Sequence, residues 1–275
     1  EHMWIQFALL VVSAFLMMEL NNSNALIRIY SRMVSCSFIV LAVMAYFLFV
    51  DIKCGIVQTC FIAFYLFLFT TYQSRASVGR VFYAFAMLGI ASIYYVQILF
   101  FIPVIWVLMA TNIMNGCARV YVASLLGLLL PYWFATGYYA FTDQISLIGD
   151  HFTALLDFDS QSVWLDIPLV QIVTIVFIAL LAVVGMINFR LNNYRDKIRT
   201  RMLFDFFSVM IIFTMIFMIL QPTNMHFLLA MLIVSASPLI GHFISLTNSL
   251  ITNLIFCFML VATLALTVCN VWIQF

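Results

Sequence analysis

Long apolar runs alternate with short polar gaps along the whole chain. The first run covers Met3 to Leu20 and ends at Asn21-Asn22-Ser23-Asn24. A second covers Met33 to Val50, and Asp51-Ile52-Lys53-Cys54-Gly55 leaves room only for a tight hairpin before a third, ending near Tyr72. After the gap Gln73 to Arg80, no charged residue occurs from Val81 to Ala118. As one helix that stretch would extend about 57 Å, against about 30 Å of hydrocarbon in a bilayer, so it must fold back on itself. The expected break is at Ser92 to Gln97, with Pro103 distorting the second arm. A sixth run, Val120 to Phe141, contains Pro131. A seventh starts at Pro168, a favoured first helical position, and ends near Phe189. The stretch after Asp205 divides at Gln221-Pro222-Thr223-Asn224 and at Ser245 to Ser249, giving three more. The pattern predicts an all-α polytopic membrane protein of about ten transmembrane helices. One short helical hairpin lies at 81–118, and the whole of 1–275 forms a single integral membrane domain.

Charge orients these runs. Arg28, Arg32, Arg75, Arg80, Arg119, Arg190, Arg195, Lys197, Arg199 and Arg201 all fall in alternate gaps, and Lys53 alone falls in the others. Short basic loops stay cytoplasmic during insertion, so these gaps face inward. Arg80 and Arg119 then lie on the same side, which requires an even number of crossings between them. The segment 143–167 carries Asp143, Asp150, Asp157, Asp159 and Asp166 without a Lys or Arg, and is expected to be periplasmic. In it Ile145, Ile148, Phe152, Leu155 and Leu156 recur at helical spacing, which predicts a short interfacial helix.

Composition agrees: 67% of the 275 residues are hydrophobic and 8% charged, whereas a soluble domain is about half apolar and a quarter charged. The runs lack the alternation of barrel strands. Cys36, Cys54, Cys60, Cys117, Cys257 and Cys269 show no CxxC spacing and read as small buried hydrophobes. The chain begins Glu1-His2-Met3, so a preceding segment is expected.

Few residues offer chemistry. Glu19 and Asp205 lie at the ends of their spans, within reach of headgroup water or a loop Arg. His242 lies deeper, beyond Ser235-Ala236-Ser237-Pro238, and reads either as a packing histidine or as a proton relay. His151, Asp157, Asp159 and Asp166 carry donors suited to a divalent metal, but their spacing matches no metal loop, and a solvated acidic face is expected. No metal, cofactor or nucleic-acid partner is expected. The basic loop 190–201, with Arg190, Arg195, Lys197, Arg199 and Arg201, suits anionic headgroups or a docking partner. Tyr94, Tyr95, Gln97, Tyr132, Trp133, Tyr138 and Tyr139, joined by Trp164, cluster toward the outer face. They read as an interfacial aromatic belt or as the lining of a lipid groove open to the outer leaflet.

The run Gly89-Ile90-Ala91-Ser92-Ile93-Tyr94-Tyr95, Phe100-Phe101-Ile102-Pro103-Val104-Ile105-Trp106, Leu126 to Trp133 and Tyr138 to Asp143 resembles an uncharacterised polytopic inner-membrane protein family of Gram-negative bacteria. Some members bear a carotene-oxygenase label, which four-histidine propeller chemistry makes inapplicable here. The resemblance implies a bacterial inner-membrane location and one further helix before the present start. The segment through Trp106 is also loosely similar to the helical hairpin of polyprenyl-phosphate-dependent (GT-C type) glycosyltransferases. In those enzymes an acidic pair follows the first helix, and only Glu1 stands at the matching place. The expected function is a non-catalytic membrane subunit or assembly factor of a cell-envelope complex, with lipids and other membrane proteins as partners. The alternatives are a GT-C-like transferase or lipid-handling protein, and a transporter using His242.

Overall fold

The computed structural model describes residues 2–74, 76–156, 167–246 and 249–272. Arg75, Asp157, Asp159, Trp164 and Asp166 therefore lie outside the described residues, as does Glu1. The described residues are predominantly helical and form no strand. The helices are α1 (His2–Asn24), α2 (Met33–Met44), α3 (Ile52–Phe69), α4 (Val78–Tyr94), α5 (Ile102–Thr111), α6 (Ala118–Phe141), α7 (Ser146–Thr153), α8 (Leu169–Asn192), α9 (Ile198–Leu220), α10 (Met225–Leu246) and α11 (Leu250–Trp272). Seven of them, α1, α3, α6, α8, α9, α10 and α11, are long and apolar enough to cross a membrane. The other three expected spans are shorter apolar helices: α2, α4 and the pair formed by a 3-10 segment, Val96–Phe101, with α5.

The uncharged stretch does fold back, and at a definable residue. Tyr95 is extended (φ −138°, ψ 91°), which ends α4 and starts the 3-10 segment. Pro103 does not distort the second arm. It occupies the first turn of α5, where its missing N–H removes no helical hydrogen bond. Pro168, similarly, precedes α8 rather than opening it. The patch Asn21 to Asn24 continues α1 instead of ending it: Asn21 Nδ2 donates to the Ser31 carbonyl (2.9 Å) and Asn24 Nδ2 to the Leu20 carbonyl (3.1 Å).

Helix α10 forms the centre, its side chains buried from Leu228 to Phe243 by α2, α3, α8 and α9. Small residues allow this. A Cβ on Gly241 would meet the Val34 backbone nitrogen of α2 at 2.9 Å, and one on Gly185 of α8 would meet Leu239 at 3.2 Å. Pro238 interrupts the helical ladder within α10. There Ser37 of α2 donates its hydroxyl to the Ser237 carbonyl at 2.9 Å. Helix α4 packs against α6 in the same manner, with Gly89 facing the Leu128 carbonyl and Gly127 facing the Phe82 carbonyl.

Basic loops from distant parts of the chain meet at one end of the bundle. Arg199 Nη2 donates to Asn24 Oδ1 (2.8 Å) and to the Phe69 carbonyl (3.3 Å). Asn112 Nδ2 reaches the Met202 carbonyl at 3.1 Å, and the Gln73 N–H reaches the Ile113 carbonyl at 3.0 Å. At the other end Phe47 meets His226 and Tyr95 stacks on Phe227.

Candidate ligand-binding recess

At the end remote from the basic loops, three elements converge on Ser92, in the last turn of α4. Its hydroxyl donates to the Gly89 carbonyl (2.8 Å) and accepts from the Tyr132 phenol of α6 (2.8 Å). Its carbonyl accepts from His151 Nε2 of α7 at 3.1 Å. Tyr132 also stacks on Phe152, centroids 5.4 Å apart, and Gln97 Nε2 donates to the Ala154 carbonyl at 3.0 Å. These contacts hold α7 against α4 and α6, while Ile145, Leu147 and Phe152 stay exposed.

Between these elements lies a recess of about 300 Å³ lined by Ile93, Tyr132, Ala135, Thr136, Tyr139, Leu147, Ile148 and His151. Tyr132 and Thr136 also border a broader depression of about 450 Å³ on the outward side of α6, with Leu129, Trp133, Gly137 and Ala140. The two hollows share Tyr132 and Thr136 in their walls and together make up a trough beside α6. Because the Ser92 carbonyl can only accept, His151 holds its proton on Nε2 and leaves Nδ1 as an acceptor. Burial pushes the His151 pKa below its ordinary value, so the ring is neutral at pH 7. The trough therefore combines an apolar floor with an imidazole acceptor and the hydroxyls of Thr136 and Tyr139. That combination holds an apolar chain and hydrogen-bonds a polar head.

The seven residues expected there separate. Tyr132 and Tyr139 line the recess, and Trp133 lines the adjoining depression. Tyr138 packs on Tyr139 but is itself exposed, and Tyr94 is partly exposed beside Ile93. Tyr95 and Gln97 do not face the trough. Tyr95 is buried, stacked on Phe227 at 5.1 Å with its phenol donating to Gln221 Oε1 at 3.4 Å, and Gln97 is buried beneath α7. Thr136 and His151 were missing from the expected groove. Thr136 had a usable signal, since 132, 136 and 139 share one helix face.

The basic loop separates too. Arg190, Arg195 and Lys197 are exposed, with Arg195 Nε donating to the Tyr194 phenol at 2.7 Å. Arg199 is half-buried and ties α9 to α1 and α3, and Arg201 is half-buried near Asp205. Glu19 is also half-buried. His242 is not alone: its Nε2 lies 3.0 Å from Asp196 Oδ2, and Arg28 Nε stands 3.8 Å from Asp196 Oδ1. Among the described residues no group of three or more His, Cys, Asp or Glu is placed to hold a metal. Comparison with family models, curated proteins and solved structures found no match for this chain.

Proposed function

We propose that this chain is a multi-pass protein of the bacterial inner membrane that binds a membrane amphiphile in the α4–α6–α7 trough. In this reading it acts as a non-catalytic subunit or assembly factor of a cell-envelope complex. Ten crossings, with the basic end cytoplasmic, accompany it: the fold-back at Tyr95 satisfies the parity that Arg80 and Arg119 demand. The observation that supports it best is the recess. An apolar chain along Leu147, Ile148 and Ile93 would leave its head beside Thr136, Tyr139 and His151. The exposed Arg190, Arg195 and Lys197 would serve as the contact for anionic headgroups or a membrane partner.

The test is purification from native membranes in mild detergent, followed by extraction of bound lipid from the wild-type chain and from Thr136→Trp, which fills the recess. One lipid class carried by the wild type and lost from the variant supports the reading. The same lipids in both would refute it. A polyprenyl phosphate as the bound species would favour the glycosyltransferase alternative.

A further inference from the structure

At the basic end, far from the trough, α11 parts from its neighbours. Its far end is fastened: Asn270 Nδ2 donates to the Met44 carbonyl and to Thr174 Oγ1, both at 2.9 Å. Nearer the basic loops an apolar cleft of about 200 Å³ opens between α2, α8, α10 and α11. Met33 and Ile244 stand at the basic end of this cleft, with Leu41, Leu181 and Thr263 deeper. The helical rise from Met33 to Leu41 is about 12 Å, most of the roughly 15 Å of one leaflet's hydrocarbon. The hydroxyls in its wall are already engaged. Ser37 Oγ donates to backbone carbonyls of α2 and α10, and Thr263 Oγ1 donates to the Leu260 carbonyl. The cleft thus accommodates a tail and repels a head.

Arg32 stands at the mouth. Its carbonyl accepts the Cys36 N–H at 3.0 Å, so Arg32, Cys36 and Val40 follow one another along a single stripe of α2, the last two lining the cleft. Arg28 and Arg199 are tied to Asp196 and Asn24. Arg32 is exposed, and among the described residues it makes no hydrogen bond or ion pair through its side chain.

We propose that this cleft is a binding site for an anionic phospholipid, one acyl tail lying between α2 and α11 and the phosphate held by Arg32. It is independent of the trough. The complementarity is of two kinds, an apolar slot of leaflet depth and a free cation at its mouth.

The test uses the full chain carrying Thr136→Trp, so that the trough contributes nothing, in nanodiscs of equal parts phosphatidylglycerol and phosphatidylcholine. Native mass spectrometry counts the lipids retained after release. Phosphatidylglycerol should be kept in preference by about fivefold, the effect of one cation near an anionic headgroup. Arg32→Gln should bring the two lipids to parity, whereas Arg32→Lys should keep the preference and show that the fold tolerates the position. Arg119→Gln, at an exposed cation in the first turn of α6, should change nothing. Cys36→Trp, at the exposed rim of the cleft, should strip both lipids. Parity before Arg32 is changed, a preference that survives Arg32→Gln, a loss caused by Arg119→Gln, or full retention by Cys36→Trp would each overturn the proposal.

Discussion

His242 Nε2 lies 3.0 Å from Asp196 Oδ2, with both side chains buried. This contact joins the loop before α9 to the last part of α10, with Phe189 and Phe204 packed against the imidazole at 5.2 and 5.1 Å. Removing Asp196 strands the imidazole without a partner in a region of low dielectric, whereas removing His242 leaves Asp196 still 3.8 Å from Arg28. Asp196→Ala should cost about 3 kcal/mol, a fall in Tm of roughly 5–10 °C, by thermal unfolding in detergent. His242→Ala added to Asp196→Ala should cost much less than His242→Ala alone. Additive losses would mean that the two residues are not coupled.

The α4–α6 crossing depends on missing side chains. A Cβ on Gly89 would sit 2.7 Å from the Leu128 carbonyl oxygen, and one on Gly127 would overlap the Phe82 carbonyl, both rigid backbone. Gly89→Ala and Gly127→Ala should each destabilise the protein by about 1–3 kcal/mol, as overpacking does. Gly137, on the same helix with nothing within 4 Å, is the control. Gly137→Ala should leave the unfolding temperature unchanged or slightly raised.

Docking of α7 should depend on pH. The His151 pKa is lowered by burial when α7 is docked, so the undocked helix takes up a proton first. Docking is therefore at full strength above the ordinary histidine value of 6.5 and weakens as pH falls below it, until the docked ring also protonates. Hydrogen exchange in α7 should accelerate below that pH, and His151→Gln should abolish the dependence. Exchange that is flat across this range in the wild type would contradict the assignment.

Tyr132 tests the Ser92 junction more gently. Tyr132→Phe removes the phenol that donates to Ser92 Oγ while the ring can still stack on Phe152. The loss should be about 1 kcal/mol, measured by unfolding, with α7 still protected from exchange. Loss of that protection would mean that the hydrogen bond, and not the stacking, holds α7.

Hydropathy made the helices legible, and the charge asymmetry made the ends legible. Both are one-dimensional properties of the chain, and the meeting of the basic loops at one end follows from them. The fold-back near Tyr95 was legible for the same reason, since no single helix of that length fits a bilayer. Which face each helix turns inward was not legible. In runs as uniformly apolar as α6 and α9, lipid and protein interior present nearly the same environment, and rotation about the helix axis leaves little trace in the sequence. Hence Tyr95 and Gln97 read as groove residues although they are buried in packing. Asp196 was hidden differently, as the single acid among five cations in a loop read only for its basic character. That isolation was itself a usable signal, because an acid in such a loop is readily drawn into an internal ion pair. Thr136 carries a weaker signal than its aromatic neighbours on α6, because a lone threonine in an apolar helix commonly bonds its own backbone.

The occupancy of the recess can be read directly by placing a photoreactive p-benzoylphenylalanine at Ile148, which lines it, and at Leu126, which is exposed on the side of α6. After irradiation in native membranes, intact-mass analysis should show one discrete lipid adduct at 148. Position 126 should instead show a mixture that follows the bulk lipid composition. The same mixture at both positions, or no lipid adduct at 148, would contradict the account.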